Sequence, residues 1–123
     1  MEDRELLGLA AIAAGLWIKC EVEDHQDNFL ALRVKPSKES GRETTIDWNP
    51  LADDGDALRL AVKLRFGITD IAPSEDSPNA QAWGMVEIWR EGDSDPINVE
   101  WYKAGACRYA VTRLAIVRAA AKI

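Results

Sequence analysis

The segment Trp48-Asn49-Pro50-Leu51-Ala52-Asp53-Asp54-Gly55-Asp56-Ala57-Leu58-Arg59-Leu60-Ala61-Val62 constrains the fold more than any other stretch of the chain. Pro50 biases Asn49 away from helical backbone, so the chain arrives extended. Asp53 is then placed to accept hydrogen bonds from free backbone N–H groups as N-cap, and Asp56, three residues on, completes a variant of the capping box. Both carboxylates favour the positive end of the helix dipole. Beyond them Leu58, Ala61 and Val62 form one apolar stripe and Ala57, Leu60 and Leu64 another, with Gly67 placed to end the helix. Two stripes require cover on more than one side.

The flanking segments supply that cover. Glu2 to Ala14 reads as a helix with Leu6, Leu7, Leu9, Ala10, Ala13 and Ala14 at helical spacing, stopped by Gly15. From Leu16 the period changes to two. Leu16, Ile18, Cys20 and Val22 make an inward strand face, and Phe29 to Val34, after the polar turn 24–28, makes the second half of an antiparallel hairpin with Leu30, Leu32 and Val34 inward. Thr44 to Trp48 is a short extended piece, and Phe66 to Ala72 a short strand. Ala80 to Arg90 is the longest strand, with Trp83, Met85, Glu87 and Trp89 on one face, Ala82, Gly84, Val86 and Ile88 on the other, and Gly84 as a candidate bulge. Ile97, Val99 and Trp101 alternate with Asn98 and Glu100 in a returning strand. Lys103 to Ala121 is the last helix, facing the core with Cys107, Ala110, Val111, Leu114, Val117 and Ala121. The proline-, serine- and charge-rich stretches 35–43 and 73–79 read as surface loops. The order predicts one domain over residues 1–123 of the α+β class, a three-layer α-β-α sandwich with three helices and a mainly antiparallel sheet.

Charge narrows the partners. The net charge is −6, and residues 103–123 hold five basic residues and no acidic one, so the first 102 residues carry −11. This argues against direct binding to nucleic acid by phosphate neutralisation. The apolar N-terminal stretch is broken by Gly8 and Gly15 and falls short of the ~20 residues of a membrane span, so neither a signal peptide nor an anchor is expected and the location read is the cytoplasm. Cys20 and Cys107 are expected as reduced, buried thiols, with a disulfide between them as the alternative.

Catalytic chemistry finds little support. The single histidine, His25, lies in a polar turn without a triad partner, and no phosphate loop, nucleophile elbow or zinc-binding helix occurs. No enzyme, cofactor or metal site is therefore expected. Asp53, Asp54 and Asp56 form the densest acidic cluster, which capping explains and which, set near Arg108 and Arg113, would also serve a small-ligand or nucleotide site. Five tryptophans in so short a chain stand out. Trp17, Trp83 and Trp89 are candidates for a recognition surface, although core packing uses such residues equally well. Tyr109 and Ile116, off the core-facing stripe of the last helix, are candidates for a contact with another subunit.

The run Asp47-Trp48-Asn49-Pro50-Leu51 through Asp53-Asp54-Gly55-Asp56-Ala57-Leu58-Arg59-Leu60-Ala61-Val62-Lys63-Leu64, with Ala106-Cys107-Arg108-Tyr109-Ala110-Val111 and Val117-Arg118-Ala119-Ala120-Ala121 near the end, resembles the phage ABA sandwich family of small phage and prophage proteins. The resemblance implies the same three-layer architecture and carries no catalytic or binding residue with it. Together these features predict an acidic, non-catalytic accessory protein that binds a host or phage protein, as a monomer or as a homodimer. A small-ligand or nucleotide binder is the alternative.

Overall fold

The computed structural model describes residues 1–39, 44–72 and 83–123. Residues 40–43 of the first expected loop, the whole of the second, 73–79, and the start of the long strand, 80–82, lie outside the described residues. Helix α1 spans Asp3–Ala13 and ends in a Schellman motif: Gly15 takes φ 74°, its N–H donates to Ile12 O, and Leu16 N–H donates to Ala11 O. Strands β1 (Trp17–Glu23) and β2 (Phe29–Lys35) form the expected hairpin, and β3 (Ile46–Trp48) pairs with β2, all antiparallel. Asp24 builds the hairpin turn, its carboxylate accepting from the N–H groups of Gln26 (2.8 Å) and Asn28 (2.9 Å). Helix α2 (Asp54–Lys63) follows, then β4 (Phe66–Ile71), β5 (Trp83–Arg90), β6 (Asn98–Lys103) and helix α3 (Arg108–Ala121).

The α+β sandwich-like class expected from the sequence is the one observed, with three helices and antiparallel strands. Among the described residues those strands divide into two three-stranded sheets, ordered β1-β2-β3 and β4-β5-β6. The first sheet packs against α1 and the second against α3, while α3 also packs against α1 and α2. One buried cluster runs through all of them, including Leu7, Val34, Leu60, Val86, Ile88 and Val117.

The central place of α3 accounts for several departures from the sequence reading. A helix packed between a sheet and two other helices is buried on more than one side, so Ile116, expected on an exposed strip, is 3% exposed and part of the core. The same helix starts at Arg108 because Lys103 still pairs in β6 and a turn with Gly105 at φ 90° intervenes. Cys107 is therefore the N-cap position, and both cysteines are free and exposed, not buried. In β1 a register shift between Ile18 and Cys20 breaks the alternation that would have turned Cys20 inward. Leu9 and Leu30 are exposed, with Ala11 and Ala31 buried instead.

Strand β6 is inverted relative to its hydropathy. Asn98, Glu100 and Tyr102 face α3, whereas Trp101 is 62% exposed. The inversion is tolerated because α3 and β4 satisfy each polar group: Asn98 donates to Ala115 O (3.2 Å) and accepts from Lys122 (2.7 Å), Glu100 pairs with Arg118 (2.9 Å), and Tyr102 donates to Asp70 (3.0 Å). The register of β5 with β6 runs unbroken through Gly84↔Tyr102, so Gly84 is not a bulge. A Cβ there would overlap the Tyr102 ring. Gly67 does not end α2 either; Arg65, at φ 57°, reverses the chain, and Gly67 lies in β4 opposite Trp89.

Candidate functional site

The aspartate cluster divides by role. Asp53 caps α2, its carboxylate accepting from Asp56 N–H at 2.8 Å. Asp56 does not complete the capping box. Its buried carboxylate accepts from Asn49 N–H (2.9 Å) and from Arg59 (2.8 Å). The Asn49 side chain in turn donates to Leu30 O (2.7 Å) and accepts from Leu51 N–H (3.0 Å), so the start of α2 is tied to β2. Asp54 alone reaches toward α3.

There it lines an open cleft of about 540 Å³ between α2, β4 and α3. Asp54 pairs with Arg113 (2.6 Å), whose Nε also donates to Leu51 O (2.8 Å). At β4, Asp70 accepts from the Nη2 and Nε of Arg108 (2.7 and 3.2 Å) and from the Tyr102 hydroxyl. Asp70 stabilises the charge on Arg108, raising its pKa, while burial and the hydrogen bond to Asp70 push the Tyr102 hydroxyl up. Leu58, Ile68, Tyr109 and Ile116 form the apolar walls between the two ion pairs. The structure thus brings Asp54, Arg108, Arg113, Tyr109 and Ile116 together, and leaves Asp53 and Asp56 out of the cleft. Each arginine already has its carboxylate, and among the described residues no buried side-chain polar atom lacks a partner. Nor, among them, is any group of three or more His, Cys, Asp or Glu side chains placed to hold a metal ion. His25 is exposed in the hairpin turn, remote in sequence from every residue of the cleft.

A second feature lies on the face of the β4-β5-β6 sheet turned away from α3. Cross-strand pairing sets Ile71, Met85 and Trp101 in one row, Thr69, Glu87 and Val99 in the next, Trp83 beside Lys103 at one end, and Trp89 beside Gly67 at the other. Trp101, Ile71 and Trp83 are 62%, 48% and 40% exposed. Lys103 stands over the Trp83 ring at 5.4 Å, a cation–π contact. Of the expected recognition tryptophans, Trp83 and Trp89 share this face, whereas Trp17 lies on the first sheet under Lys35 (4.6 Å). Only Trp48 of the five is buried in the core. Trp101 was not among the recognition tryptophans named from the sequence, where it entered only as one of the alternating apolar residues of the returning strand.

Among the described residues, no helix is long and apolar enough to cross a membrane. Comparisons of the chain with protein-family models, with curated proteins and with solved structures found no match.

Proposed function

We propose that this protein is a non-catalytic protein-binding module, of the accessory kind that phages and prophages encode and that works in the cytoplasm of the bacterial host. The observation that carries the reading is the aromatic face of the β4-β5-β6 sheet, which three tryptophans share with Met85, Val99 and Ile71 and on which Trp101, Ile71 and Trp83 are exposed. Contiguous exposed apolar patches mark interaction sites, and tryptophan is among the residues most enriched at binding hot spots. The phage setting rests on the resemblance carried by residues 47–64 and the ends of α3. The test is photo-crosslinking in host cells from position 101, with position 91 in the β5–β6 turn as control. A crosslinked protein product from position 101 that the control lacks, re-formed from purified components, is the expected result; no such product would sink the reading.

The cleft favours a second reading, a small anionic or nucleotide ligand held between Arg113 and Arg108 with Tyr109 beside it. It ranks below the first because such a ligand must displace Asp54 and Asp70 from their partners. Titration with inorganic phosphate and a nucleoside triphosphate, followed by backbone amide shifts along 108–113, decides it: saturable shifts there would reverse the ranking.

A further inference from the structure

We infer that the partner seated on the aromatic sheet face is a second copy of this chain, packed sheet to sheet about a two-fold axis; the inference rests on the protein-binding reading and specifies its occupant. The charges on the face lead to this. The strand residues forming it carry one acid, Glu87, and one base, Lys103, so the face is neutral on a chain whose net charge is −6. A foreign partner drawn to this protein by its overall charge would be basic and would settle on the acidic surfaces elsewhere. An isologous contact instead requires one patch to hold both halves of every charge pair, which this patch does. An axis between the two facing sheets, crossing the strands at the Ile71, Met85, Trp101 row, brings the Glu87 row of each copy over the Trp83 and Lys103 row of the other. Each Glu87 then lies near Lys103 of the second copy, and Met85 and Trp101 meet their own counterparts at the centre, as in the aligned packing of two sheets.

Size sets the strength. A three-stranded face with strands ~4.8 Å apart and a rise of ~3.3 Å per residue spans roughly 300 Å² over residues 83–89, well below the ~800 Å² per partner of a standard interface. The expected dimer is therefore reversible, dissociating in the micromolar range or above.

Sedimentation equilibrium over about two decades of micromolar concentration tests this. The wild type should pass from monomer to dimer. Glu87→Lys and Lys103→Glu should each weaken the dimer by about tenfold or more, and the double variant carrying both should return to near the wild-type constant. If either charge variant fails to fold, Trp101→Ser, at an exposed position, decides by loss or retention of the dimer. A wild type that stays monomeric, a dimer indifferent to the single reversals or to Trp101→Ser, or a double variant that does not recover would each overturn the inference. A monomer that still captures another protein from position 101 leaves the protein-binding reading standing, whereas a monomer that captures nothing removes both.

Discussion

Gly84 and Tyr102 show how one position can depend on the absence of a side chain. The Tyr102 ring lies where a Cβ on Gly84 would be, and its hydroxyl donates to Asp70. Gly84→Ala should cost about 2 kcal/mol or more, because the ring is buried and its hydroxyl is tied to Asp70; urea denaturation measures it, and a loss under half of that would refute the close approach. Tyr102 also sets an alkaline limit. Its folded-state pKa is raised, so its contribution to stability is fully present below the unfolded value of about 10 and is lost as pH rises through the folded value. Stability should fall above about pH 10 in the wild type and fall less in Tyr102→Phe. The two exposed thiols should both react with a thiol reagent in the native protein, at rates that denaturant raises little.

At the scale of elements, the polar side chains act as ties between strands and helices. Arg113, largely covered, binds α3 to Asp54 and to Leu51 O, so Arg113→Ala should destabilise by about 1–3 kcal/mol. Arg33 and Asp47, both well exposed, should matter far less when replaced, as surface pairs do. Asp56 is the larger case: Asp56→Ala leaves the Asn49 N–H without its acceptor beneath α2 and should cost about 2–3 kcal/mol, against ~1 kcal/mol for the cap residue in Asp53→Ala. Thermal or urea unfolding of the two variants side by side checks the order, and equal losses would mean that capping is all the cluster does. These ties also explain the inversion of β6. Its hydropathy alone pointed Val99 and Trp101 inward, but three satisfied polar groups on the other face allowed α3 to cover that side.

For the molecule as a whole, the consequence of that inversion is a sheet face on which Trp101, Trp83 and Ile71 are exposed. The sequence made much of the framework legible. The two hydrophobic periods, Gly15 as a helix stop and Asp53 as a helix start are local matters of backbone geometry and hydrogen bonding, and each was placed within a few residues of its observed position. Asp54 and Arg113 were named together only within the small-ligand alternative, with Asp53, Asp56 and Arg108; the structure joins the two as a tie between helices. Side-chain facing was harder to read, because which face of a strand or helix is buried depends on what the rest of the chain lays against it. Only the tertiary structure decided that α3 has neighbours on several sides, burying Ile116, that Asp56 serves Asn49, and that Trp101 is outside while Asn98 is inside. Local propensity sets where elements begin and end; burial is a property of pairs of elements, and no single segment carries it.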